Sequence, residues 1–226
     1  PIRAKLKILN NKNILFFGKG SINQEIVKYI KVFNCKYSFI DSNSNKSFFT
    51  KKDLSTLRIL HITNFNERLD GRLFFNTGRR INNGFIRQGH SVLGFSDRDI
   101  QKYYRSFNDF KGARSLNDKL RKTCYNYKPD LIVLGHADLI SADQISQLRE
   151  DYPNTRFSQW FLDPLNKNGP DYERNKSRIL DKINVVDATF LTTSPSVLSF
   201  LDNKKSFYIP NPSDKAFETL NNFNHS

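Results

Sequence analysis

Residues 128–148 read KPDLIVLGHADLISADQISQL. Pro129 closes whatever helix precedes it, because proline supplies no amide hydrogen and disfavours a helical residue before it. Asp130–Leu134 (DLIVL) is then a short, unbroken apolar run, the pattern of a strand covered on both faces. Gly135, His136, Ala137 and Asp138 follow as a turn. Ser141 is placed to cap a helix over 142–151 that carries Ile145 and Leu148 on one side. A two-sided buried strand leading into a capped amphipathic helix predicts a parallel sheet with helices packed on it.

The same alternation extends in both directions. Leu57–Thr63 (LRILHIT), Ser91–Phe95, Arg156–Phe161, Ala188–Leu191 and Ser206–Ile209 are expected as strands. Helices are expected over 73–88, 114–127, 171–184 and, briefly, from Pro195 to Leu201. Gly89 stops the first of these, and 96–113 reads as a long polar connection. The fold class expected is α/β, a doubly wound, mainly parallel Rossmann-like sheet.

Upstream, Asn13–Phe17 and Tyr37–Ile40 read as strands around a helix that starts at Ser21. They form an additional N-terminal β-α-β unit. Residues 42–56, SNSNKSFFTKKDLST, read as a linker, which divides the chain into 1–56 and 57–226. Gly18 and Gly20 after a strand, with Asp41 at the end of the next, imitate a dinucleotide-binding fingerprint. Position 23 is Asn where the third glycine belongs, so a tight turn without ligand is the preferred reading.

The chain has 226 residues, 36 Lys+Arg against 22 Asp+Glu, and a net charge of +14. Residues 1–58 hold 12 of the basic and 3 of the acidic residues, an excess of +9. The basic residues there are scattered singly, without an RNA-recognition or zinc-finger pattern. A solvated surface is therefore preferred, nucleic acid is disfavoured, and an anionic membrane surface stands as a secondary partner. No apolar run approaches the ~20 residues of a membrane span. Two cysteines, Cys35 and Cys124, exclude a disulfide scaffold and a cysteine zinc site, and fit a reducing cytosol. The chain opens on Pro1 rather than Met, which reads as a fragment or processed piece.

In an open parallel sheet ligands bind beyond the carboxyl ends of the strands. That rule yields Asn64, Asp70, Gly71 and Arg72 after the strand at 57–63, and Asp97 after 91–95. It also yields His136 after 130–134, Asp163 after 156–161 and Ser194 after 188–191. Asp70 and Gly71 are expected at the mouth of a helix, where free amides and Arg72 favour phosphate or carboxylate. Plain capping is an equal and compatible reading. His136, aimed into the crevice just after a glycine, suits a general base or a hydrogen-bond donor to a sugar. A structural histidine held by a loop is the alternative. Asp163 suits a hydroxyl acceptor, or a cap for the turn at Pro164. His61 and His90 read as structural, and Trp160 as packing.

Several segments together resemble the N-terminal domain of bacterial glycosyltransferases of the GT-B class. They are LRILHITNFNERLDGRLFFNTGRRINNGFIRQGHSV (57–92), KPDLIVLGHADLI (128–140), FSQWFLDPL (157–165), VVDATFLTTSPSVLSFL (185–201) and FYIPNPSDKAFETL (207–220). The resemblance implies two Rossmann-like domains facing across a cleft. The first binds a sugar or glycolipid acceptor. The second, a C-terminal donor-binding domain that would lie beyond this sequence, binds the nucleotide-sugar co-substrate. It further implies no metal and no cofactor, a cytoplasmic location that includes the inner membrane face, and an inactive fragment without the second domain. The Gly-Gly turn common after the family's first strand is replaced by Asn64–Gly71. His136 and Asp163 fall where the family places acceptor contacts and, in some members, a base. Two rival readings remain: a non-enzymatic nucleotide-binding module using Gly18, Gly20 and Asp41, and a binder of anionic surfaces or nucleic acid.

Overall fold

A computed structural model describes residues 56–201 and 205–219. The expected β-α-β unit at the N-terminus, with Gly18, Gly20 and Asp41, lies outside the described residues. The strands are β1 (Arg58–Thr63), β2 (Ser91–Phe95), β3 (Leu131–Gly135), β4 (Arg156–Phe161), β5 (Ala188–Leu191) and β6 (Ser206–Tyr208). All five pairings among them are parallel, in the order β2-β1-β3-β4-β5-β6. The helices are α1 (Thr77–Arg87), α2 (Asp97–Tyr103), α3 (Ala113–Tyr127), α4 (Ala142–Asp151), α5 (Tyr172–Lys182) and α6 (Lys215–Glu218). This is a Rossmann-like, doubly wound α/β sheet. The strand order reverses between β1 and β3, which makes that gap the switch point where such sheets take ligands.

Alternation along β1 decides which helix covers which face. Leu60 and Ile62 point to one side. They pack with Leu116, Leu120 and Cys124 of α3, Ile145 and Leu148 of α4, and Ile132 and Leu134 of β3. On α3 these contacts fall every fourth residue, one stripe of the helix. Truncating Leu120, which is wholly buried, to Ala costs about 2–5 kcal/mol by transfer and cavity terms. A second cluster on the same side joins Phe161 and Leu191 to Ile179 and Ile183 around α5.

His61 and Thr63 point to the other side, under α1. Gly78 brings α1 close: a Cβ there would sit 2.8 Å from the Thr63 methyl. Gly135 is held small by its neighbour in β4, since a Cβ would fall 2.0 Å from the Trp160 ring. Trp160 lies across that gap and donates Nε1–H to His61 Nε2 at 3.1 Å. The other ring nitrogen of His61 must then carry the proton, and it meets Asn82 Oδ1 at 3.3 Å. Burial pushes His61 down to about 4, with only the Asn82 hydrogen bond opposing. His61 is thus a neutral, satisfied core residue. His90 is structural too, its Nδ1 accepting from the Leu57 amide at 3.3 Å.

Several boundaries differ from the sequence reading, among them three in the β1–β3 half. The first helix starts at Thr77, not near 73. Asn76 caps it by accepting from the Arg79 amide, while its own amide donates to Phe65 and Leu73 carbonyls. Asp70 and Gly71 hold left-handed backbone (φ 49° and 85°), which no helix continues through. The connection 96–113 contains α2. Its polarity concealed it because its buried residues are two aspartates. The strand expected at 130–134 spans Leu131–Gly135, with Asp130 clasping Arg58 at the amino end of the sheet instead.

Candidate functional site

His136 follows β3 in left-handed backbone, φ 50°. That kink ends the strand and turns the imidazole onto the Phe161 ring, stacked at 4.5 Å and 13°. Arg178 of α5 reaches over the same ring, 5.0 Å from its centre. Its Nη2 lies 2.9 Å from His136 Nδ1. Asp163, just past β4, places Oδ2 3.7 Å from His136 Nδ1 and 3.5 Å from Arg178 Nη1. Asp138 accepts from Arg178 Nε and Nη2, both at 2.8 Å, and from Arg98 Nη2 at 2.8 Å. Five charged or titratable side chains from four segments therefore converge at the carboxyl ends of β3 and β4, beside the switch point.

The proton arrangement follows from valence. A guanidinium only donates, so the Nδ1 facing Arg178 carries a lone pair and the neutral ring keeps its hydrogen on Nε2. Burial pushes His136 below the ordinary imidazole value; Asp163 pulls it back and Arg178 depresses it further. In this state His136 is a hydrogen-bond donor through Nε2. General-base work would require Nδ1 to leave Arg178. Asp138 shows the opposite balance. Burial alone would raise it, but hydrogen bonding to Arg178 and the charges of Arg178 and Arg98 outweigh that and hold it low.

The β1 side of the rim is built differently. Asp99, in the first turn of α2, is buried and turned inward. It accepts from the Glu67 amide at 2.8 Å, from Arg68 Nη1 at 3.1 Å, and from the Ser96 hydroxyl in a very short contact. Ser96 Oγ in turn accepts from the Phe65 amide at 2.9 Å. Asn64 and Asn66 pair with each other through Nδ2 and Oδ1 at 2.8 Å. The loop after β1 is pinned from below by these bonds, and its top carries few polar groups that converge.

The sequence-derived site residues separate accordingly. His136 and Asp163 come together. Asn64 lies on the rim, half-buried, with its amide engaged by Asn66. Asp70, Gly71 and Arg72 are exposed, and they are not at the mouth of a helix, because Asn76 occupies that position. Asp97 is corrected outright. It is 0 % exposed and neither carboxylate oxygen has a hydrogen-bond partner of good geometry. Burial pushes it up to about 6, against nearby amides and the Arg98 charge. The chain enters α2 directly after Ser96, and the helix's first turn rolls Asp97 under the rim rather than over it. Ser194 is exposed, its hydroxyl 2.8 Å from that of Ser196.

One member of the cluster, Arg178, lies beyond the reach of the strand-end rule. Arg98 follows the strand at 91–95 together with Ser96 and Asp97, and the rule places it on the rim where it meets Asp138. Arg178 lies in mid-helix, and nothing in its sequence neighbourhood marks it; only the packing of α5 across β4 brings it to the rim. No group of three or more metal-ligating side chains occurs among the described residues. Among them, too, no helix is long and apolar enough to cross a membrane.

The fold and rim define a parallel α/β domain with a charged cluster at the carboxyl ends of its central strands. No family model and no curated protein matches the sequence. Among solved structures, the chain is similar to CetZ from Methanosaeta thermophila strain DSM 6194, at 16% identity and a TM-score of 0.34. That match covers 60% of this chain and 45% of the other, so this chain spans under half the length of that protein. A superposition of that quality carries no inference about function.

Proposed function

We propose that residues 57–219 form the acceptor-side domain of a GT-B glycosyltransferase. It transfers a sugar from a nucleotide-sugar to an acceptor hydroxyl in polysaccharide or glycoconjugate assembly. The observation that carries this reading is the His136–Arg178–Asp163 cluster beside the β1/β3 switch point. It offers a neutral imidazole N–H donor and a carboxylate acceptor side by side, the pair a sugar's hydroxyls require. Arg178 and Asp138 hold the imidazole in its tautomer. The nucleotide-sugar is the co-substrate and is held by a further domain of the full-length protein.

The test is release of nucleotide from a panel of nucleotide-sugars by the full-length protein, with lipid and soluble glycan acceptors. His136→Ala is expected to lower turnover by roughly 10²-fold. His136→Gln, whose amide reaches the place of Nε2, is expected to recover part of that if the ring donates, and none if it acts as base. Failure of every nucleotide-sugar to turn over, or an unchanged rate in His136→Ala, overturns the reading.

A further inference from the structure

The segment between α2 and α3 carries the most exposed aromatic side chains of the described residues. Phe107 is 104% and Phe110 83% exposed. Free phenyl rings standing wholly in water are unusual unless something covers them. The turn that presents them is rigidly built. Ser106 and Asp109 exchange two backbone hydrogen bonds, at 3.3 and 3.0 Å. The Gly112 amide donates to Asp109 O at 2.8 Å, and Asp109 Oδ2 accepts from the Ser115 amide at 2.7 Å. Gly112, at φ +69°, packs so closely on Gln101 O that a Cβ would lie 2.2 Å from it. The rings therefore project from a braced loop.

Charge accompanies them. Residues 102–114 (KYYRSFNDFKGAR) hold Lys102, Arg105, Lys111 and Arg114 against the single acid Asp109, and Asp109 is already engaged by the Ser115 amide in the first turn of α3. All four basic residues are exposed, and none belongs to an ion pair among the described residues. Topology places the loop. α3 must descend to the amino end of the sheet to feed β3, so the segment before it lies at the carboxyl end, with the candidate site.

We infer that the loop 102–114 docks this domain onto an anionic membrane surface. Phe107 and Phe110 enter the headgroup–acyl boundary while the four basic side chains meet lipid phosphates. Aromatic wedges flanked by cations are what that interface accepts. Single-stranded nucleic acid would instead need ring faces spaced along a groove, and these rings stand at the tip of a turn. The inference does not depend on the transferase reading, since it concerns binding alone. If both hold, the acceptor is a lipid-linked sugar brought to the rim by the same contact.

The experiment is co-sedimentation of the full-length protein with phosphatidylcholine vesicles, with and without phosphatidylglycerol. Binding is expected only with the anionic lipid and to fall with added salt. Phe107→Ser with Phe110→Ser, and separately Lys111→Glu with Arg114→Glu, are each expected to weaken it by roughly 10-fold or more. Phe107→Trp is expected to gain a blue-shifted fluorescence component on vesicle addition. No binding to anionic vesicles overturns the inference. So does binding that both double variants leave unchanged, which would assign it to the basic residues elsewhere. Tighter binding of a single-stranded RNA oligonucleotide, lost in the same variants, also overturns it.

Discussion

The rim above β1 and β2 and the rim above β3 and β4 belong to one end of one sheet, yet their carboxylates face opposite ways. Above β2, Asp97 and Asp99 are turned inward. One pins the loop after β1, and the other is buried without a hydrogen-bond partner of good geometry. Above β3 and β4, Asp138 and Asp163 are turned outward into a lattice with Arg98, Arg178 and His136. The difference begins in the backbone. After β2 the chain runs straight into a helix whose first turn rolls under the rim. After β3 a left-handed residue, His136, interrupts the descent and leaves the next side chains outside. In this sheet an acid placed after a parallel strand reaches the outer rim where the chain delays its helix.

The largest effect is expected on the inward side. Asp99→Ala removes the acceptor of the Glu67 amide, the Ser96 hydroxyl and Arg68, and leaves buried donors unmatched. A loss of about 3 kcal/mol in urea unfolding is expected. A loss under about 1 kcal/mol would show that the β1 loop is held by something else.

Asp97→Asn should act in the opposite direction. The folded-state value of Asp97 is raised to about 6. The folded protein therefore keeps a proton there that the unfolded chain gives up, and stability from this group falls as pH rises from about 4 to 6. Removing the carboxylate is expected to stabilise the protein by about 2 kcal/mol at pH 7 and hardly at all at pH 4. His61 runs the other way. Its folded value is depressed to about 4, so its contribution is complete above the ordinary imidazole value and is lost as pH falls toward 4. The two slopes nearly cancel in the native chain over the range they share. In Asp97→Asn, acid titration of stability between pH 6.5 and 4 is expected to reveal the uncovered His61 slope, of about 3 kcal/mol. A flat profile in that variant would contradict the depressed imidazole.

On the outward side the effect on stability should be smallest. The Asp163 side chain is 46% exposed and that of Asp138 34%, so solvent screens both. Asp138→Asn and Asp163→Asn are each expected to change stability by under about 1 kcal/mol. Their effect belongs in the imidazole itself. Loss of Asp163 removes the one neighbour whose charge pulls His136 up most. The His136 titration, followed by its ring proton resonances, should therefore move lower in Asp163→Asn. An upward movement would mean that Asp163 does not face the ring in solution.

Much of this was legible in the residues. The apolar runs at β1, β3 and β4, the Ser141 cap of α4 and the turn at His136 all follow from local patterning, because burial on both faces demands unbroken apolar strands. α2 was hidden because its inward residues are aspartates, and no hydrophobic period marks a helix whose buried side chains are charged. The start of α1 was misplaced because Asn76, rather than Asp70, meets the free amides.

The sequence alone determined the parallel α/β class and that His136 and Asp163 sit at strand ends, since alternation and turn chemistry are local properties. Tertiary structure decided that these two meet, that Arg178 bridges them, that Asp97 is buried and that Phe107 and Phe110 stand clear. Those outcomes depend on strand order and helix docking, which bring together atoms far apart along the chain, and no local pattern encodes which distant partner a side chain will find.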